Sequence, residues 1–334
     1  MVTIIDVARA AGVAPSTVSY VLSGKRSISP ETRRQVERSI RRLGYHPHAG
    51  ARALASSRTK VLALVIPLRT DLNVGVVMQF VAAVSLAARR YDHDVLLVTK
   101  DEGPGGLKRV AGSAIADALI VMDVESADPR VPMLLALDRP VVLIGTPADP
   151  GGLTCVDLDF NAAGATAVRH LVRLGHRAVG LVGPSPAVYE RGTSFAERFR
   201  RGFTETAEER GVRSTIQPCA HSYEAAEACL DALFARDPGI TALVVQNEAV
   251  LGPVLADLRH RGKRVPSDIS VLAVCPDSLA ENQLLPLTTI GVPADELGEL
   301  AVEMTIRQLA GEAAGRTRLL APRLIRRTST ARHG

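Results

Sequence analysis

The chain has 334 residues, of which 46% are hydrophobic, 22% charged and 3% aromatic, a composition typical of a globular protein with two or three folded units. The net charge is +5, but residues 1–60 hold eleven Lys and Arg against three acids, whereas the remainder is slightly acidic. No transmembrane helix, disulfide framework, metal site or cofactor is expected, because no stretch approaches roughly 20 apolar residues and the four cysteines lack Cys-x-x-Cys spacing.

Residues 3–44 predict three short helices. Thr3 and Asp6 have the spacing of a capping box that opens the first helix. Pro15 suits the first turn of the second helix, and Gly44 is placed to end the third. The basic residues of this region predict a polyanionic partner for it alone.

Ala8, Gly12 and Val18 have the residue types and the spacing of a helix-turn-helix motif. Ala8 allows a close approach of the two helices, Gly12 can adopt the positive φ of the turn, and Val18 fills the angle between the helices. A plain helical hairpin would not explain the excess of cations, so the segment predicts DNA binding, with the second helix in the major groove. The candidates for base contacts are Pro15, Ser16, Ser19 and Tyr20, and the candidates for contacts to the DNA backbone are Thr3, Thr17, Arg33 and His48.

Residues 46–60 differ from both neighbours. They are rich in small residues and include one large apolar side chain, Leu54, so they present no full apolar face. A helix of this length is unstable alone in water. The segment therefore predicts a linker that folds only against a partner.

From Val61 onwards, apolar runs alternate with amphipathic stretches, a pattern that predicts a doubly wound α/β architecture with buried parallel strands. About 270 residues is long for one open sheet, so we expect two lobes. The predicted strands are Val61–Ile66, Val95–Val98, Ala118–Met122, Val141–Ile144, Val179–Val182, Leu243–Val245 and Val271–Val274, and the predicted helices are 74–91, 161–174, 195–210, 223–235, 248–261 and 295–310. The predicted domains are a headpiece (1–46), a linker (47–60) and a core (61–334), whose lobes comprise about 61–158 with 291–320 and about 159–290 with 321–334.

Two lobes joined by several crossings form a cleft that can close on a small ligand. Polar side chains near such a cleft are expected at the carboxyl ends of strands and at the crossings. The candidate ligand contacts are Arg69, Asp71, Asn73 and Asp123 in the first lobe and Tyr189, Arg191, Arg198, Gln246 and Asp277 in the second.

The chain resembles the lac-repressor/galactose-repressor family over nearly its full length. The matching segments include Thr3-Ile4-x-Asp6-Val7-Ala8, Ala11-Gly12-Val13, Ser16-Thr17-Val18-Ser19, Leu43-Gly44-Tyr45-x-Pro47, Ala51-Arg52-x-Leu54-Ala55, His170-Leu171-x-x-Leu174-Gly175-His176 and Pro286-Leu287-Thr288-Thr289-Ile290.

The resemblance implies a homodimer on a pseudo-palindromic operator and a core similar to periplasmic sugar-binding proteins. Residues 48–56 would form a hinge helix with His48, Ala51 and Leu54 at the DNA, and Leu54 would wedge into the minor groove and kink the duplex. The chain departs from the family at Tyr20, where Arg is common, and at His48, where Asn is common. Phe199 and Cys275 replace the family's ligand-binding arginine and aspartate.

These observations predict a cytoplasmic repressor that binds double-stranded operator DNA under allosteric control by a small molecule, expected to be a sugar, through the hinge helices. One alternative is a solute-binding protein of a transport system, against which the basic head and the lack of a signal peptide argue. An enzyme is a further alternative, but no Walker sequence, Gly-x-Ser-x-Gly or His-Glu-x-x-His is found.

Overall fold

The computed structural model describes residues 2–23, 26–45, 58–69, 71–100, 103–113 and 115–334. The predicted DNA contacts His48, Ala51 and Leu54 lie outside these residues, as does most of the predicted linker. Among the described helices, none combines the length and the apolar character that a membrane span requires.

The N-terminal unit consists of the three predicted helices, α1 (Ile4–Ala10), α2 (Pro15–Ser23) and α3 (Pro30–Leu43). The capping box is present, because the main-chain N–H of Thr3 donates to Asp6 Oδ2 over 2.9 Å. Gly12 has a φ of 62° and allows the chain to turn between α1 and α2 without strain. Apolar side chains from all three helices form a small core: Val7, Ala8, Ala11, Val18, Val21, Val36 and Tyr45.

The rest of the described chain alternates between strands and helices. The strands are β1 (Val61–Val65), β2 (Asp94–Val98), β3 (Ala118–Val121), β4 (Val141–Ile144), β5 (Thr154–Leu158), β6 (Ala178–Gly183), β7 (Arg213–Pro218), β8 (Ala242–Val245), β9 (Ser270–Cys275), β10 (Thr288–Gly291), β11 (Thr317–Leu320) and β12 (Leu324–Ile325). The helices are α4 (Val74–Arg90), α5 (Gly103–Gly112), α6 (Val131–Leu135), α7 (Phe160–Arg173), α8 (Pro186–Glu190), α9 (Ser194–Glu209), α10 (Tyr223–Arg236), α11 (Leu251–His260), α12 (Asp277–Glu281) and α13 (Ala294–Leu309), with a 3₁₀ turn at Glu248–Val250 before α11.

These strands form two sheets, which confirms the predicted pair of doubly wound lobes. In the first lobe the order is β11-β5-β4-β3-β1-β2, with every pairing parallel. In the second lobe the order is β12-β10-β9-β8-β6-β7, and only the short β12 runs antiparallel to its neighbour. Helices cover both faces of each sheet, so the central strands consist mainly of Val, Leu, Ile and Ala.

The chain passes between the lobes three times. It leaves the first sheet after β5 and enters α7, whose apolar side chains pack against the second sheet. It returns after β10 into α13, which packs on α4 against the first sheet. The last passage joins β11 directly to β12.

Helices α7 and α9 of the second lobe approach each other closely at two glycines. A Cβ atom at Gly202 would lie 1.9 Å from the carbonyl oxygen of Asn161, and one at Gly164 would lie 2.3 Å from that of Phe199. Both obstacles are main-chain atoms of the facing helix. The packing of this pair of helices therefore depends on the absence of side chains at the contact.

Candidate functional site

The predicted DNA-reading surface is the N-terminal part of α2. Pro15 and Ser16 are exposed there, and Thr17, Ser19 and Tyr20 are half-buried. The guanidinium group of Arg26 lies 5.6 Å from the centre of the Tyr20 ring, a distance that fits a cation–π contact. These side chains are at least partly exposed and can therefore approach the major groove of DNA. Their contacts to bases stay predictions.

The predicted contacts to the DNA backbone differ in their availability. The Thr3 hydroxyl caps α1 and donates to Asp6 Oδ2 over 2.7 Å, so part of its bonding capacity is used within the unit. Arg33 is half-buried in α3 and makes no ion pair with a described residue. Arg34, Arg38 and Arg41 are exposed on the same helix and keep its surface basic.

A cavity of about 180 Å³ lies between the two lobes, at the carboxyl ends of their strands. This volume is roughly that of six molecules of liquid water, so the cavity suits one small molecule. Its polar lining residues are Asn73, Asp123, Asp157, Gln246 and Glu248. Its apolar lining residues include Ile66, Leu72, Val76, Val77, Phe80, Met122, Ile144, Phe160, Phe195, Val274, Pro276, Val292 and Leu297.

Three of the nine predicted ligand contacts line this cavity: Asn73, Asp123 and Gln246. The Asn73 side chain also caps α4, because its Oδ1 accepts from the main-chain N–H of Gly75 over 3.0 Å. Asp123 has a φ of 53°, a conformation that is strained for a non-glycine residue and is often found at functional sites. Gln246 is buried, and neither polar atom of its side chain has a partner among the described residues.

The other six predicted contacts are not among the residues that line the cavity, and all of them except Tyr189 form ion pairs with protein groups. Arg69 pairs with Asp123, and Arg198 donates to Asp157 over 2.7 Å, so each arginine holds a carboxylate that lines the cavity. Asp277 accepts from Arg327 over 2.5 Å on the half-exposed start of α12.

Tyr189 is more deeply enclosed than its position in a short helix suggests. Its hydroxyl is buried without a partner among the described residues, and burial raises the pKa of that hydroxyl to about 12. The guanidinium of Arg200 lies 5.7 Å from the centre of its ring.

The lobes are held together beside the cavity by an ion pair and by main-chain hydrogen bonds. Arg191 of the second lobe donates to Asp71 of the first over 2.7 Å. Burial opposes ionisation of Asp71, but the bond to Arg191 and its charge outweigh burial and lower the pKa of Asp71. The N–H of Ser194 donates to the carbonyl of Val124 over 2.9 Å, which adds a direct link between the lobes.

The sequence reasoning missed two acidic residues of the cavity, Asp157 and Glu248. Burial raises the pKa of Asp157 to about 7 in spite of the neighbouring Arg198. Burial likewise raises the pKa of Glu248 to about 7. Asp157 lies near the carboxyl end of β5, and Glu248 follows the carboxyl end of β8, two residues beyond Gln246. These positions at strand ends were the signals in the sequence that could have identified both residues.

Within the described part of the chain, no group of three or more His, Cys, Asp or Glu side chains is arranged to hold a metal ion. The cysteines Cys155, Cys219, Cys229 and Cys275 are unpaired and buried. The cavity between the lobes is lined by hydrogen-bonding and apolar side chains.

Two family models match parts of this chain. Residues 3–48 match the model of bacterial regulatory proteins of the lacI family. Residues 168–330 match the model of a periplasmic binding protein-like domain. The matches coincide with the helix-turn-helix unit and with a large part of the two-lobed core.

Several similar proteins cover most of the chain. The HTH-type transcriptional regulator AglR of Rhizobium meliloti is 30% identical and covers 83% of this chain and 80% of its own length. Catabolite control protein A of Priestia megaterium is 27% identical over 93% of each chain. The structure of a lac repressor dimer bound to operator and the anti-inducer ONPF has a TM-score of 0.84 at 22% identity and covers 99% of both chains. A CelR-cellobiose complex has a TM-score of 0.71 at 24% identity and covers 98% of this chain.

Proposed function

The chain belongs to the lacI family of bacterial regulatory proteins, and on this premise we propose that it is a repressor whose operator affinity is controlled by a carbohydrate bound between its lobes. As a member of that family it is a DNA-binding transcriptional regulator. The alternative of a transport protein with the same core loses its support, because the relatives that cover both the head and the core are regulators.

One observation carries this proposal: a single chain joins a helix-turn-helix unit to a two-lobed core with a small cavity at the carboxyl ends of its strands. A ligand in that position contacts both lobes at once. It can therefore favour the closed arrangement over an open one by the difference in its affinity for the two.

The carbohydrate part of the proposal is supported by the relatives. One similar structure is a complex of the regulator CelR with cellobiose. The cavity of this chain offers amide and carboxyl groups that can bond to hydroxyls, beside aliphatic and aromatic side chains.

The arrangement on DNA follows from the predicted domains. Residues 1–46 would read the operator as a headpiece, residues 47–60 would form the hinge, and residues 61–334 would bind the effector and dimerise. Two headpieces of a cytoplasmic homodimer would meet two half-sites, and the hinge would insert Leu54 into the minor groove between them. Binding of the effector would alter lobe closure and thereby the folding of the hinge helices.

The proposal is tested by selecting operator sequences from random DNA with the purified full-length chain and then measuring the affinity of variants. Leu54→Ala should weaken binding to the selected operator by at least tenfold and binding to random DNA by far less. Leu135→Ala, which changes an exposed leucine of the core, is the matched control. Equal losses on operator and random DNA would reject the wedge, and failure to enrich any sequence would reject the proposed function.

A further inference from the structure

The polar end of the cavity is unusual because its amide has nothing to bond to. Gln246 is only 3% exposed and lines the cavity, yet its Oε1 and its Nε2 both lack a partner among the described residues. A buried amide without partners is unfavourable, whereas a ligand that both accepts from Nε2 and donates to Oε1 would satisfy it. The geometry therefore marks Gln246 as a ligand contact.

Glu248 differs from the other two carboxyl groups of the cavity. Asp123 is paired with Arg69, and Asp157 with Arg198. The carboxyl group of Glu248 accepts a hydrogen bond from its own main-chain N–H and makes no ion pair with a described residue. It lies with Cys275 and Pro276 on the wall that belongs to the second lobe.

The other residues that line the cavity also disfavour a negatively charged ligand. Among the described residues that line the cavity, none is Lys, Arg or His. An anionic ligand would face carboxyl groups and apolar side chains with no cation of its own to bond. A ligand that donates hydrogen bonds, or that carries a positive charge, would instead complete the site.

We infer that Glu248 and Gln246 form the hydrogen-bonding end of the effector cavity, and that the cavity takes a small ligand that donates hydrogen bonds and carries no negative charge. This inference rests on the proposed function, because it specifies the effector of the same site. Unphosphorylated sugars and amino sugars both satisfy this chemistry. Sugar phosphates and sugar acids do not.

The selectivity is tested with matched derivatives of two hexoses and the full-length protein. Glucose and galactose are each supplied as the neutral sugar, the 2-amino sugar, the uronic acid and the 6-phosphate, at about 10 mM each, roughly the range of weak binding. Thermal unfolding detects binding because a ligand of the folded state raises the melting temperature. At least one neutral or amino form should raise it, and its acidic counterparts should bind at least tenfold more weakly.

A comparison of the neutral sugars with the amino sugars identifies whether the site prefers hydroxyl or ammonium groups as hydrogen-bond donors. A stronger effect of the amino form points to an ammonium group at Glu248, and an equal effect points to hydroxyl donors. Stabilisation by a 6-phosphate or a uronate as strong as by the neutral sugar overturns the inference. So does the absence of stabilisation by all four neutral and amino forms.

A substitution assigns the selectivity to one side chain. Glu248→Gln removes the carboxylate with little change in shape, so the discrimination against acidic forms should become measurably smaller. Glu281→Gln, an exposed position in α12 away from the cavity, should keep it. Discrimination that is unchanged in Glu248→Gln overturns the role of Glu248, and the ligand series on the unsubstituted protein stays decisive if this variant fails to fold.

Failure of this inference is distinguishable from failure of the proposed function. Operator selection is performed without any ligand, whereas the thermal series contains no DNA. A chain that enriches an operator but ignores every neutral and amino sugar refutes the inference alone. A chain that binds neutral sugars but enriches no operator refutes the regulatory function alone.

Discussion

The contact between α7 and α9 predicts that Gly202→Ala destabilises the second lobe. The new Cβ would lie 1.9 Å from the carbonyl oxygen of Asn161 and 2.7 Å from its carbonyl carbon. Ordinary carbon–oxygen contacts begin near about 3.3 Å. One helix must therefore move by more than about 1 Å, since the obstacle is main chain and cannot rotate away.

The magnitude follows from two opposing effects. Overpacking of a tight core costs about 1–3 kcal/mol, and an obstacle of main-chain atoms places this case at the upper end. Replacement of Gly by Ala inside a helix returns about 0.5–1 kcal/mol. We expect a net loss of about 2 kcal/mol of unfolding free energy, which corresponds to a melting temperature lower by roughly 4–8 °C for a domain of this size.

The assay is thermal unfolding of the full-length protein, followed by circular dichroism. Gly252→Ala is the matched control, because Gly252 is an exposed residue of α11 and a Cβ atom added to it would meet nothing within 4 Å. That change should leave the melting temperature the same or slightly higher. If Gly202→Ala and the unsubstituted protein had the same melting temperature, the argument that α7 and α9 can pack only without a side chain at residue 202 would be refuted.

Three further predictions concern pH, lobe closure and the headpiece. Burial lowers the pKa of His176 to about 4 from 6.5, so the unfolded chain binds a proton first, and stability is lost as the pH falls from 6.5 towards 4, by about 2 kcal/mol at pH 5. His176→Gln should lose less stability than the unsubstituted protein between pH 7 and pH 5 in urea titrations, and equal losses contradict the assignment. A double-mutant cycle on Asp71→Ala and Arg191→Ala, measured by the free energy of unfolding, should return a coupling energy of about 1–2 kcal/mol. Additive effects of the two substitutions would show that the ion pair does not contribute to stability. Ala8→Leu should abolish operator binding in gel shifts by forcing α1 from α2, while Ala10→Leu, at a half-exposed position, should retain it.

Central strands could be predicted from the sequence because burial on both faces leaves an uninterrupted apolar run. Val141–Ile144 has the predicted bounds. Strand β7 (Arg213–Pro218) was missed because it lies at the sheet edge, is partly exposed and contains polar residues. Strand β10 (Thr288–Gly291) was missed because its threonines are buried through hydrogen bonds, such as that from the N–H of Thr288 to Ser329 Oγ over 2.8 Å. Such partners are distant in sequence and leave no local signal.

The cavity was harder to predict than the fold. Position at a strand end selected Asn73, Asp123 and Gln246, which line it, and their ligand contacts stay predictions. The same rule also selected Asp277, which instead pairs with Arg327 from the last part of the chain. Sequence spacing cannot show which polar side chains have already found a partner, and that property separates Glu248 from the paired carboxylates.

Neither lobe is a continuous stretch of chain, because β11 completes the first sheet after the chain has crossed back from β10, and β12 completes the second sheet after a further crossing. A stop codon at residue 287 would remove strands from both sheets at once, and would also remove α13 from the first core. A gene fragment that encodes one lobe without the other would therefore lack at least one strand of its sheet.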